Sequence, residues 1–170
     1  MFDDTIHKLA SQLISNCILT STRLAIAESC TGGLLSGAIT SIAGSSQVFD
    51  RGYIVYSNES KYSELAVPRR LIETHGAVSE QVVRSMADGA LARSQPFADL
   101  AIAISGEAGP GTSDMKPVGL VHLATASHVR SKALHQAHSF GNVGREHIRL
   151  LAIRAALELL LDCIAKDTQK

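Results

Sequence analysis

The run Ala27-Glu28-Ser29-Cys30-Thr31-Gly32-Gly33 decides how this chain is read. It follows the short apolar stretch Leu24-Ala25-Ile26-Ala27 and leads into a helical pattern that starts at Leu34. Ser29, Cys30 and Thr31 are therefore expected on a tight strand-to-helix turn, with the N–H groups of Gly32 and Gly33 accessible at the helix start. A hydroxyl beside unpaired N–H donors suits acyl transfer: one group attacks a carbonyl and the others hold the oxyanion. Gly-rich strand–helix turns also bind phosphates without doing chemistry, so the run alone leaves both readings open.

The segment Tyr56-Ser57-Asn58-Glu59-Ser60-Lys61 sharpens the choice. A serine attacks poorly unless a base takes its proton, and a neutral lysine amine can do so where no histidine is placed for it. Free lysine has a pKa of about 10.4, so burial or a neighbouring cation must lower it. Tyr56 could relay the proton or hydrogen-bond the pair. Cys30 is the rival nucleophile, more reactive intrinsically and adjacent to the same helix start. Arg145 stands at the expected start of the last helix, after Gly141 and Gly144, where a phosphate could use both helix N–H groups and the guanidinium fork. Arg149, one turn on, either faces the same side or does not. Thr31 could cap the helix after Gly32 or position a ligand, and Asn58 could cap its own helix or bind substrate.

Several further motifs follow in order: Gly44-Ser45-Ser46, Gly76-Ala77-Val78-Ser79-Glu80, Ser105-Gly106 with Ala108-Gly109-Pro110-Gly111, Lys116-Pro117-Val118-Gly119, and Phe140-Gly141 with Arg145. With Ala27–Gly33, Tyr56–Glu59 and Lys61 they resemble the CinA C-terminal domain family, in particular its stand-alone nicotinamide-nucleotide amidases. The resemblance runs from about Leu9 to Leu161 and treats residues 1–170 as one such domain. It implies hydrolysis of the carboxamide of nicotinamide mononucleotide to nicotinate mononucleotide and ammonia, without a metal or other cofactor. It places the catalytic roles on Ser29, Lys61 and Tyr56, and substrate binding on Thr31, Gly32, Gly33, Asn58, Ser105, Gly106 and Arg145. It also implies a homo-oligomer, with a dimer favoured. One departure is Glu107, where the family usually carries an aliphatic residue; the loop 111–115 also looks about one residue short. A carboxylate near an anionic nucleotide repels it unless paired. That keeps a second reading in view, a respecialised or inactive paralogue that binds nucleotides as a regulatory module.

Composition narrows the classes. A chain of 170 residues is long enough for one full core. Lys+Arg and Asp+Glu are both 16, tryptophan is absent and no basic run is interleaved with aromatics, so nucleic acid is not an expected partner. No apolar run reaches the roughly 18 residues of a membrane span, and the start of the chain lacks a basic region before an apolar stretch. Three cysteines without CxxC spacing favour a reducing cytoplasm. The seven histidines form no HExxH and no zinc-finger spacing, so no metal site is expected.

The apolar periodicity predicts helices over 4–20, 33–42, 58–65 and 68–74, one beginning after the N-cap Ser79, and a last one over 145–165. It predicts strands over 23–27, 48–57 and 99–105, then a β-hairpin of 118–127 and 133–140. Helices alternating with strands point to an α/β fold: a three-layer α/β/α sandwich around a mixed, mostly parallel sheet with one C-terminal hairpin. In such sheets ligands bind beyond the carboxyl ends of the strands. The Ser29 turn, the Tyr56–Lys61 segment and the 105–111 loop all follow predicted strands, so they are expected to share one cleft.

Overall fold

A computed structural model describes residues 2–111, 116–128 and 133–165. The loop expected to be short, apart from Gly111, lies outside the described residues, as does most of the hairpin turn. Helix α1 (Asp4–Leu19) starts at Asp3, whose carboxylate accepts the Ile6 N–H at 2.8 Å. Strand β1 (Leu24–Glu28) leads through the Ser29 turn into α2 (Leu34–Thr40). A 3₁₀ turn at Ser45–Gln47 precedes β2 (Phe49–Ile54). Helices α3 (Asn58–Leu65), α4 (Arg69–His75) and α5 (Glu80–Arg93) follow, then β3 (Leu100–Gly106), β4 (Leu120–Ser127), β5 (His135–Ser139) and α6 (Arg145–Ala165).

The five strands form one sheet in the order β2-β1-β3-β4-β5. The pairs β1–β2 and β1–β3 are parallel, and β3–β4 and β4–β5 are antiparallel. Only β4 runs against the other four, so the expected α/β fold with its mixed sheet and terminal hairpin is observed. Several element boundaries differ from the sequence reading, and two of them have a visible local cause. Strand β2 stops at Ile54 rather than 57, because Val55 makes its last bond to the Glu28 carbonyl and Ser57 is already the N-cap of α3. Pro68 is the N-cap of α4 and not its first residue.

Side-chain size alternates along the central strands. Leu24, Ile26, Leu100, Ile102 and Ile104 belong to a cluster with α1, α2 and α6. Ala25, Ala27, Ala101, Ala103, Ala124 and Ala126 belong to a second cluster with residues of α3, α4 and α5. Because successive residues of a strand point to opposite faces, each cluster occupies one face of the sheet. The small side chains let the second set of helices come close. Where α5 passes the end of α3 the fit is tight enough that a Cβ on Gly89 would fall 2.0 Å from the Leu65 carbonyl oxygen.

Candidate active site

Beyond the carboxyl ends of β1 and β3 lies a cavity of about 560 Å³. Ser29, Cys30, Tyr56, Asn58, Lys61, Ser105, Gly106, Glu107 and Arg145 are among its lining residues. The three segments expected to converge therefore do so.

Ser29 is the first residue past β1, and its N–H donates to the Ile104 carbonyl at 3.0 Å, which ties the turn to β3. Lys61 reaches it from α3. The start of that helix is fixed by a capping box: Ser57 Oγ accepts the Ser60 N–H at 3.0 Å, and Ser60 Oγ accepts the Ser57 N–H at 3.1 Å. Lys61 is only 1% exposed, and its Nζ lies 3.1 Å from Ser29 Oγ, 3.0 Å from the Val55 carbonyl and 3.2 Å from the Tyr56 carbonyl. In its neutral form an amine held this way can take the proton of the serine hydroxyl. Ser29 and Lys61 thus have the spacing and surroundings of a nucleophile and its base.

The remaining expected residues divide. Tyr56 is 59% exposed, and its phenol accepts a hydrogen bond from an Arg145 Nη at 2.8 Å. The other Nη of Arg145 donates to the Gly109 carbonyl at 2.8 Å. Tyr56 therefore meets Lys61 through its backbone carbonyl, while its ring stands at the mouth of the cavity. Asn58 lines the cavity but does not cap its helix, since Ser57 does. Ser105 Oγ donates to the Ala77 carbonyl at 2.7 Å, bracing the wall. At Gly106 a Cβ would sit 2.7 Å from Val121 Cγ2, so only glycine fits between β3 and β4 there.

Gly32 and Gly33 do not offer the free donors expected of them. The Gly32 N–H donates to the Ser29 carbonyl at 3.1 Å. The Gly33 N–H donates to Glu28 Oε2 at 3.0 Å, and the same carboxylate accepts the N–H groups of Leu35 (3.1 Å) and Ser36 (2.8 Å) and the Ser36 hydroxyl (2.7 Å). Glu28 is fully buried and closes the start of α2. The glycines serve backbone shape instead, with φ of 58° and 94°. Thr31 caps nothing, because the N-cap of α2 is Gly33. Its hydroxyl is buried without a partner among the described residues, and the residue does not line the cavity.

Arg149 turns away from the cavity. Its Nε donates to the Cys30 carbonyl at 3.1 Å and an Nη to the Thr31 carbonyl at 2.8 Å. Cys30 lines the cavity, but burial pushes its thiol up to about 12, so it is a thiol at neutral pH. Glu107 is 8% exposed in the cavity wall. Away from the pair, His122 Nδ1 lies 3.0 Å from His135 Nε2, and His135 Nδ1 lies 3.5 Å from Glu80 Oε2. Burial, ahead of other causes, holds both imidazoles below the usual histidine range. Among the described residues no group of three or more His, Cys, Asp or Glu side chains is placed to hold a metal ion, and no helix is long and apolar enough to cross a membrane.

Sequence reasoning singled out Ser29 and Lys61, which the structure places 3.1 Å apart, and missed the groups that hold them there. Glu28 is adjacent to Ser29 in the chain, but an acidic residue at a strand end carries no signal that its carboxylate folds forward onto the next helix. The spacing of Arg145 and Arg149 could not show that one guanidinium spans the cavity mouth while the other lies behind the turn.

The chain is similar to known proteins along most of its length. A CinA-like protein of Parasynechococcus marenigrum is 45% identical over 161 residues, covering 94% of this chain and 38% of that protein. A CinA-like protein of Syntrophobacter fumaroxidans is 46% identical over 147 residues, covering 86% and 34%. The chain thus spans about a third of the length of these curated relatives. The crystal structure of the competence/damage inducible protein CihA from Agrobacterium tumefaciens superimposes with a TM-score of 0.91 at 45% identity, covering 95% of this chain and 97% of that one. Residues 6–164 match the CinA C-terminal domain, and the chain belongs to that family.

Proposed function

We propose that this protein is a metal-independent amidohydrolase that converts nicotinamide mononucleotide to nicotinate mononucleotide and ammonia. The observation that carries the reading is the buried Lys61 amine 3.1 Å from Ser29 Oγ at the floor of an open cavity. Ser29 Oγ attacks the carboxamide carbon as Lys61 takes the hydroxyl proton. The tetrahedral intermediate then collapses, Lys61 returns the proton to the departing nitrogen, and ammonia leaves. Water next attacks the acyl-enzyme, giving up a proton through Lys61, and releases the carboxylate product with Ser29 restored.

The charges around the cavity suit this substrate class. A nicotinamide mononucleotide carries a quaternary pyridinium and a phosphate. Arg145 supplies a guanidinium fork at the rim for the phosphate, and its present acceptors, a phenol and a carbonyl, are neutral groups that a phosphate outcompetes. Glu107 stands in the cavity wall, with a carboxylate where the family usually carries an aliphatic residue. The same carboxylate motivates the competing reading of a nucleotide-binding module without turnover. Pyridine nucleotide salvage in the cytoplasm, by a homo-oligomer, is the setting this reading proposes.

The test is to incubate the purified protein with the mononucleotide and EDTA and to assay ammonia. Ammonia released in step with nicotinate mononucleotide supports the amidase. Calorimetric binding without product after hours supports the module and removes the enzymatic reading.

A further inference from the structure

The turn that carries Ser29 is gripped from two sides by charged side chains that do not line the cavity. On the α2 side, the Glu28 carboxylate accepts the N–H groups of Gly33, Leu35 and Ser36 and the Ser36 hydroxyl. On the α6 side, Arg149 donates to the carbonyls of Cys30 and Thr31 at 3.1 and 2.8 Å. The fit is close: a Cβ on Gly32 would stand 3.4 Å from an Arg149 Nη, at a φ of +58°. These contacts decide where the backbone donors of the turn point. The Ser29 carbonyl is turned inward to the Gly32 N–H. A planar trans peptide then directs the Cys30 N–H the opposite way, out of the turn. Among the described residues that N–H donates to no backbone carbonyl; its one recorded contact is with its own residue's thiol. The start of α2, where an oxyanion hole would ordinarily be sought, is already filled by Glu28.

Resting on the reading of Ser29 as nucleophile, we infer that Glu28 and Arg149 are positioning residues that hold the Ser29–Cys30 turn so that the Cys30 N–H receives the oxyanion. Arg149 adds a second effect. Its guanidinium places positive charge behind a turn on which negative charge develops, opposing the nearby Glu28 carboxylate.

The experiment separates this inference from the identity of the substrate. A fluorophosphonate probe reacts by attack of Ser29 Oγ on phosphorus: a P–O bond forms, the P–F bond breaks, fluoride leaves and Lys61 takes the proton. Its labelling rate, located by peptide mass spectrometry, depends on nucleophile and oxyanion donor alone. The wild-type protein is expected to label at Ser29. Arg149→Gln should label about tenfold more slowly or worse, and Glu28→Gln should also be slowed. Arg154→Gln, an exposed arginine on the same helix, should match wild type. With the mononucleotide, Arg149→Gln should lower kcat by a similar factor and leave KM within about twofold, a split that general loosening of the site would not give.

If Arg149→Gln does not fold, Arg149→Lys, which keeps the charge and one bond, should label about threefold more slowly with an unchanged circular dichroism spectrum. Wild-type labelling rates in a folded Arg149 variant overturn the inference, as does a wild-type protein that does not label at Ser29. Labelling at Ser29 without ammonia from the mononucleotide removes the amidase reading and leaves the inference standing.

Discussion

The two faces of the sheet are built to different rules. One presents Leu24, Ile26, Leu100, Ile102 and Ile104 to α1, α2 and α6 and gains its stability from bulk. The other presents Ala25, Ala27, Ala101 and Ala103 and packs α5 close to the strands. Alanines bury less apolar area, and what this face gains is proximity. Helix α3, seated against α5 at Gly89, comes near enough for the stem of Lys61 to reach the end of β1. From the bulky face α6 sends Arg149 behind the nucleophile turn and Arg145 across the cavity mouth. Ser29 sits where contributions from both faces meet. The bulky face should therefore tolerate losses that cost stability alone, whereas tight contacts of the alanine face should be felt in turnover.

The largest effect should come from the residue that crosses between the layers. Lys61→Met should lower kcat by on the order of 10³ or more. Thermal stability should hold or rise, because an apolar chain replaces a buried amine. Steady-state kinetics beside a melting curve reads both. A variant that keeps a tenth of the activity would separate Lys61 from the chemistry.

Next come two substitutions that set the faces against each other. Ile102→Ala on the bulky face should cost about 2–5 kcal/mol and leave kcat per folded molecule nearly unchanged. Gly89→Ala meets backbone at 2.0 Å, so α3 or α5 must shift. It should cost about 1–3 kcal/mol and also depress kcat through Lys61. Denaturant unfolding with active-site-normalised turnover checks both. Equal effects on turnover would break the contrast between the faces.

Arg145 belongs to the bulky-face helix but acts at the rim. Arg145→Gln should raise KM for the mononucleotide by about tenfold with little change in kcat, and inhibition by inorganic phosphate should weaken in parallel. A fall in kcat at constant KM would move Arg145 into the chemical step.

The smallest effect concerns the histidine pair. His122 is opposite Ser105 in the β3–β4 register, at the end of the alanine face, and stacks on His135. Both imidazoles are held below the usual range, so the unfolded chain takes up protons first as pH falls. Their contribution to stability is present above the unfolded pKa of about 6.5 and is lost as pH drops below it. His122→Gln should flatten the stability profile between pH 7 and 5 in chemical denaturation. A slope equal to wild type would show that the pair does not titrate with folding.

Much of this arrangement is legible in the sequence where local rules decide it. Leu24-Ala25-Ile26-Ala27 and Leu100-Ala101-Ile102-Ala103 show strand alternation directly. Ser79 shows where α5 starts, because capping depends on residues a few positions apart, whereas α3 is capped by Ser57 and not by Asn58. Ser29 and Lys61 stand out in the sequence because few residue pairs can activate a serine, and the structure brings them together. The rest depends on direction. Gly32 and Gly33 look like anion donors until Glu28 is seen to fill α2 from within, and nothing in the spacing places the Tyr56 phenol on Arg145. Those outcomes are set by side-chain rotamers and by contacts between residues far apart in the chain, such as Tyr56 and Arg145, which periodicity does not record.

The central claim is that the hydroxyl of Ser29, and not the neighbouring thiol, attacks the substrate. Burial pushes the Cys30 thiol up to about 12, so almost none of it is thiolate at pH 8. The direct measurement compares turnover of the mononucleotide by folded Ser29→Ala and Cys30→Ala at pH 8. The account predicts that Ser29→Ala loses activity by on the order of 10³ or more while Cys30→Ala stays within about tenfold of wild type. Near-normal turnover in Ser29→Ala, with the loss in Cys30→Ala, would contradict it and make the cysteine the nucleophile.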